Sequence, residues 1–291
     1  MGESRAKWSN LLVMAVFGTM SLAVKHIPLA SAEIAMERAV IGAVTLVLVQ
    51  LVGKRLLSPR KLKGELPLLL LNGGILGFGW ILLFQAYRYT SVSVATLAYY
   101  FAPILITVGC AIWFKERMNG RQIACFVCAT AGLVLMLDPR HLAAGGASAT
   151  GIMLALGSAV CYAAVVLMNK KIRTVTGMDR TLVQLAAAGV VLLPYVLFTG
   201  GIHAFSMSAG GWVSLLILGV FYTGLCYLVY FSTLSHLPGR TVALLSYADP
   251  LTAVLCSLLI LGEGISAMQA VGGAMVIGFT LLNERLGGPK E

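Results

Sequence analysis

Charge is what this chain has least of. Only 11% of its 291 residues are Asp, Glu, Lys or Arg, while 59% are hydrophobic. A water-soluble domain keeps about a quarter of its residues charged, so an ordinary soluble fold is excluded. Histidine is also scarce. His26, His141, His203 and His236 sit at the edges of apolar runs and form no ligand set, and the 11 acidic residues make no cluster with them. No G-x-x-x-x-G-K-[ST] segment is present, which leaves ATP drive to another chain. Gly73-Gly-Ile-Leu-Gly77-Phe-Gly79 lacks the lysine of a phosphate loop, and Gly73 and Gly77 have the small-xxx-small spacing of close helix packing. The six cysteines all fall inside apolar runs. Cys125-Phe-Val-Cys128 reads as two small apolar residues on one helix face, not as a redox or metal pair. No cofactor and no metal are expected. The 21 Lys and Arg residues give a formal charge of +10, but they lie in short tracts between apolar runs. Nucleic-acid binding needs them gathered on one water-facing surface.

Long apolar runs are what the chain does have. A bilayer core about 30 Å thick takes roughly 20 apolar residues per helical span. The runs at 9–25, 33–52, 66–86, 92–114, 120–137, 150–169, 180–199, 211–232, 240–261 and 266–283 predict an all-α integral membrane protein of ten transmembrane helices. They are apolar all round, as helices that face both lipid and other helices must be. With the N-terminus in the cytoplasm, 17 of the 21 Lys and Arg fall on cytoplasmic segments. The external side receives Lys25, Arg88 and Arg140, and Arg38 lies within a span. The positive-inside rule then places both termini in the cytoplasm. Arg5, Lys7 and the apolar stretch before Ala30-Ser-Ala32 have the outline of a secretory leader, yet the stretch is longer than a usual signal core. Residues 1–32 are therefore expected to be retained. Met1-Gly2 is no myristoylation site, because Ala6 stands where Ser or Thr is wanted.

The chain also repeats itself. Phe84, Tyr100, Pro103, Glu116 and Gln122 each find the same residue type 147 positions later, at Phe231, Tyr247, Pro250, Glu263 and Gln269. Five spans per half make the two copies inverted, residues 9–137 and 150–283, joined by a loop at 138–149. Lys115 and Arg117 flank Glu116 on the cytoplasmic side, whereas Gly262 and Gly264 flank Glu263. The second copy lacks positive charge where the topology rule forbids it. Inverted repeats are a device of secondary transporters.

The segment from Ala86 to Ile104, closed by Phe114-Lys-Glu-Arg117, resembles the signature of EamA-type members of the drug/metabolite transporter superfamily. The segment Leu234-Ser-His-Leu-Pro-Gly-Arg-Thr-Val-Ala-Leu-Leu-Ser-Tyr-Ala-Asp-Pro250, followed by Leu261-Gly-Glu263, resembles its second copy. Arg38 and the short basic N-terminus also fit, so the resemblance covers essentially the whole chain. It implies ten helices as two inverted five-helix repeats around a central cavity lined mainly by spans 1, 3, 4, 6, 8 and 9. It also implies a bacterial inner (plasma) membrane location and efflux or exchange of small metabolites, amino acids included. Asp249 stands where the pattern more often has Glu, and Phe17-Gly18 where Trp-Gly is common.

Pro103 and Pro250 fall at matched positions near the middle of spans 4 and 9. Proline removes a helical hydrogen bond and crowds the carbonyl four residues earlier. Paired interruptions of this kind point to a transporter's binding site; tolerated kinks are the alternative. Asp249 lies nine residues into span 9, roughly 14 Å along the axis, too deep for its short side chain to reach water. It is a candidate to bind a cationic group of the cargo or to carry a coupling proton, against a purely structural hydrogen-bonded acid. Arg38 is explained equally by substrate binding and by snorkelling to headgroups. Glu33 and Glu37, four apart on one helix face, read as a solvated rim, with a proton relay the alternative. Trp8, Trp113 and Trp212 fall at membrane interfaces. Trp80 does not. With Tyr87, Tyr99, Tyr100, Tyr162, Tyr222, Tyr227 and Tyr247 it is a candidate aromatic wall for flat apolar or cationic cargo, with plain packing the alternative for several of them. The Lys54–Lys63 tract is a candidate for anionic membrane lipid, though topology alone accounts for it. So few full charges favour neutral or zwitterionic cargo over sugar phosphates. A secondary exporter is the leading expectation, and a membrane-embedded enzyme acting on lipid-linked substrates is the alternative.

Overall fold

The computed structural model describes residues 2–24, 26–54, 59–90, 92–116, 118–136, 148–172, 174–175, 177–260 and 266–286. The expectations for Lys25, Arg117, Arg140, His141, Glu263 and most of the 138–149 loop concern residues outside this set. Among the described residues every regular element is helical. The first apolar run forms α1 (Glu3–Gly18) and α2 (Met20–Val24), separated by a kink at Thr19. Then come α3 (Ser31–Val52), α4 (Pro59–Tyr89), α5 (Val92–Tyr99), α6 (Ala102–Trp113), α7 (Gly120–Met136), α8 (Ala149–Lys171) and α9 (Met178–Thr199). The next run is α10 (Ala209–Leu216), a π-helical stretch (Ile217–Leu225) and α11 (Cys226–Leu234). Last are α12 (Gly239–Leu245), α13 (Ala248–Leu259) and α14 (Ala267–Leu286). Six helical runs among the described residues are long and apolar enough to cross a membrane: Glu3–Val24, Ser31–Val52, Leu62–Tyr89, Ala149–Lys171, Met178–Thr199 and Ala209–Leu234. Ala102–Trp113, Gly120–Leu135 and Ala267–Asn283 are shorter apolar helices.

Two departures from the expected spans have physical causes. Helix α4 starts at Pro59 instead of near residue 66. Proline has no N–H to leave unpaired in a first turn, and the charged residues that follow can remain helical in water. Glu65 fastens this extension, accepting from the Thr174 and Val175 amides and the Thr174 hydroxyl at 2.7–3.1 Å. The other departure is that spans 4 and 9 do not merely bend. Each divides into two helices, with Tyr100-Phe101 and Ser246-Tyr247 between the parts. Pro103 and Pro250 stand in the first turn of the helix that follows each division, where a missing N–H costs least.

Helix packing follows the small residues. Helix α4 lies against α8 and α9. A Cβ on Gly77 would sit 2.8 Å from the Ala188 carbonyl oxygen, and one on Gly73 would strike the Gln184 carbonyl. The Gly73/Gly77 spacing is thus the contact between α4 and α9. Beside it lies a buried polar knot. Asn72 donates to the Val165 carbonyl at 3.0 Å, and Gln184 donates to Asn169 Oδ1 at 3.0 Å. Arg180, counted by sequence as a topological charge, is in fact buried. Its guanidinium donates to the carbonyls of Ile172 at 2.7 Å, Val175 at 3.0 Å and Phe231 at 3.1 Å. It thereby ties the end of α8 to α9 and α11. Glu33, expected on a solvated rim, is buried as well. It accepts from the His203 and Ala204 amides, pinning the start of α3 to the connection after α9.

The outer surface is apolar. Leu48, Val52, Phe198 and Leu259 are among many large hydrophobic residues left exposed, a surface suited to hydrocarbon and not to water. Replacing Gly77 with Leu is expected to force α4 and α9 apart at a cost of about 1–3 kcal/mol. Thermal unfolding of the detergent-purified protein measures this as a lowered midpoint.

Candidate functional site

Aromatic side chains from several helices enclose a central cavity of about 460 Å³, a volume typical of small-molecule sites. Phe17 from α1, Trp80 and Tyr87 from α4, Tyr99 from α5, Tyr162 from α8 and Tyr227 and Tyr230 from α11 stand in its wall. Phe17 meets Tyr227 at a centroid distance of 5.3 Å, Tyr99 meets Tyr162 at 5.7 Å and Trp80 meets Tyr227 edge-on at 6.2 Å. Tilted and edge-to-face pairs of this kind leave ring faces free to turn toward a guest. The hydroxyls of Tyr162 and Tyr230, both in the wall, share a hydrogen bond of 2.5 Å. Ser246 lines the wall at the division between α12 and α13 and Asp249 just after it, and Tyr100 and Pro103 do so around the division between α5 and α6.

The cavity has two opposite charges that do not meet. Arg38, on α3, does not snorkel. Its guanidinium lies over the Trp80 ring at 4.3 Å and its Nη1 donates to the Met20 sulfur at 3.2 Å. Its Nε is buried with no hydrogen-bond partner. Among the described residues no ion pair or side-chain hydrogen bond engages the Asp249 carboxylate, and Arg38 and Asp249 form no salt bridge with each other. An acid and a base lining one cavity, each unneutralised by the other, offer separate points of attachment for a guest that carries both signs.

Asp249, Arg38, Trp80, Tyr87, Tyr99, Tyr100, Tyr162, Tyr227 and Pro103 therefore converge on one space. Three other candidates do not. Tyr247 points away, stacking on Phe126 at 6.4 Å and sharing a 2.8 Å hydrogen bond with the Thr130 hydroxyl. Tyr222 shares a 2.6 Å hydrogen bond with Thr19 at the kink between α1 and α2. Pro250 is buried and is not part of the wall. In the other direction, sequence reasoning passed over Tyr230, although it stands one helical turn from Tyr227 and so shares its face. It also treated Phe17 only as a departure from a pattern. Span 2, through Arg38, joins spans 1, 3, 4, 6, 8 and 9 in lining the cavity.

The EamA-like transporter family model matches residues 6–138 and, separately, residues 149–284. The chain belongs to the EamA-like transporter family. This EamA-like protein is a multi-pass membrane transporter, and the family and its relatives' names indicate transport and not catalysis. It is 25% identical over 279 residues to Uncharacterized transporter YxxF of Bacillus subtilis, covering 94% of this chain and 88% of the relative. It is 27% identical to an uncharacterized transporter of Archaeoglobus fulgidus, over 68% of each chain. A solved crystal structure superposes with a TM-score of 0.83 over 97% of this chain and 98% of its own, at 19% identity, a likeness of fold alone. In a background whose native cysteines are replaced by alanine, Thr96→Cys on the cavity wall should react with a water-soluble maleimide. Thr130→Cys, beside Tyr247, should stay unreactive over the same interval.

Proposed function

We propose that this EamA-like transporter exports small zwitterionic or neutral metabolites by alternating access. Amino acids, aromatic ones among them, are the leading cargo. The observation that carries the reading is the aromatic cavity lined by both an unpaired carboxylate, Asp249, and a guanidinium, Arg38. An ammonium group of the cargo meets Asp249, its carboxylate meets Arg38, and the tyrosine and tryptophan faces take up the apolar remainder. Sugar phosphates would demand more than one buried cation. Asp249 also has the place and chemistry to carry a coupling proton, since a carboxylate at that depth is stable only when neutralised by a partner or a proton.

Ten spans in two inverted halves, 9–137 and 150–283, supply the machinery. The two separate family matches, the 147-residue recurrence and the divisions of span 4 and span 9 beside Pro103 and Pro250 support this arrangement. Tyr99, Tyr100 and Tyr162 orient the cargo, and the divided helices let each half rock against the other. Both termini are cytoplasmic and the protein resides in the bacterial inner membrane, with lipid and the small-molecule cargo as partners.

Counterflow in reconstituted liposomes, with a panel of labelled amino acids, tests this directly. Saturable exchange of at least one of them is expected. Asp249→Asn and Arg38→Gln should each lower it by roughly 10–100-fold, the worth of one lost charge-assisted contact. Unchanged exchange and unchanged pH dependence in Asp249→Asn would remove that residue from the mechanism.

A further inference from the structure

The cavity is lined toward one end of the bundle and tied shut at the other. Val24, Ser31 and Tyr87 belong to the end of α2, the start of α3 and the end of α4, and Thr96 lies midway along α5, the helix that follows. These helix ends are joined in pairs by the 25–30 and 90–91 connections, so they share one face, and Ser31 is exposed at its mouth. At the opposite face the ends of α6 and α8 and the start of α12 are bound together. Lys170 Nζ donates to Glu116 Oε1 at 2.7 Å and to the Leu237 carbonyl at 2.8 Å. Glu116 accepts the Gly239 amide on its second oxygen, also at 2.7 Å. The Lys170 ammonium lies 5.4 Å from the Phe114 ring centre, and its side chain is 8% exposed. Beneath this knot Gly239 presses on Cys110 so closely that a Cβ would overlap the sulfur.

In these two spans the cavity residues Thr96, Tyr99, Tyr100, Ala102, Pro103, Ser246 and Asp249 lie at or beyond the divisions, away from the latch. Helix α6 carries the latch at its far end and begins at the Tyr100-Phe101 division; α12 carries it at its start and ends at the Ser246-Tyr247 division. Both latched helices are thus the far halves of interrupted spans, each hinged at cavity depth. Glu116 and Lys170 are not needed to build the cavity wall, since neither lines it. We propose that Glu116, Lys170 and the Gly239 amide form a gate that holds the transporter closed on this face. Its release lets α6 and α12 swing about their divisions and opens the cavity there. The gate presumes the alternating access proposed above, and its position on the cytoplasmic face presumes the proposed orientation.

Cys110 is the reporter. It is 1% exposed, directly under the latch. In full-length protein whose other five cysteines are alanine, a membrane-impermeant maleimide is applied to vesicles of each orientation. The unaltered latch should protect Cys110. Lys170→Gln and Glu116→Gln should speed its labelling by about tenfold or more, because either change leaves the remaining buried charge uncompensated. Lys170→Arg, which keeps charge and donors, should stay protected. In a Ser31→Cys, Cys110→Ala protein, labelling at the mouth should slow when the latch is broken, and from the opposite vesicle orientation. Cys110 labelling as slow in both Gln variants as with the latch intact would overturn the gate. So would labelling that rises at Cys110 and Ser31→Cys together, or reaches both from the same face. None of these readouts requires the cargo, so an error in its assignment leaves the test of the gate intact.

Discussion

Inside a bilayer a backbone carbonyl or amide that loses its helical partner can turn only to another protein group or to a water-bearing space. Four irregularities among the described residues obey that constraint. The divisions at Tyr100-Phe101 and Ser246-Tyr247 open beside the cavity. At the kink of the first span the Thr19 hydroxyl donates to the Val16 carbonyl at 2.8 Å and shares a hydrogen bond with Tyr222. In the π-helical stretch the Thr223 hydroxyl bonds the Leu218 carbonyl at 2.9 Å. Helix interruptions, which a soluble protein can place anywhere on its surface, are here drawn toward the centre.

The same rule explains where buried polarity goes. Asn10 reaches Thr233 at 2.8 Å and so ties the first span to α11. Gln85 reaches the Tyr195 hydroxyl at 2.6 Å and ties α4 to α9. Arg180, with its four carbonyl partners, acts as a cross-brace between α8, α9 and α11. These residues link helices that have no hydrophobic driving force of their own, since lipid tails are as apolar as leucine.

Much of this was legible in the sequence because the bilayer imposes a length. Apolar runs set the spans, the small-xxx-small pair at Gly73 and Gly77 marked a real helix contact, and Pro103 and Pro250 marked the interrupted spans. Asp249 and Arg38 announced themselves by being charged where charge is costly. What stayed hidden is rotational. A helix apolar on all sides does not declare which face meets the cavity, so Tyr222 and Tyr247 were indistinguishable in sequence from Tyr162 and Tyr227. Arg180 and Glu33 were misread for a related reason. A charge one turn from a helix end counts as topology unless its partners are known, and those partners are carbonyls and amides of distant segments.

Met14 and Met20 stand in the cavity wall next to the rings, Met20 also receiving Arg38. Thioether chains are unbranched and polarizable, and they re-pack around differently shaped neighbours at little energetic cost. A chamber whose charges are fixed but whose floor is pliable discriminates by the polarity pattern of a guest more sharply than by its outline.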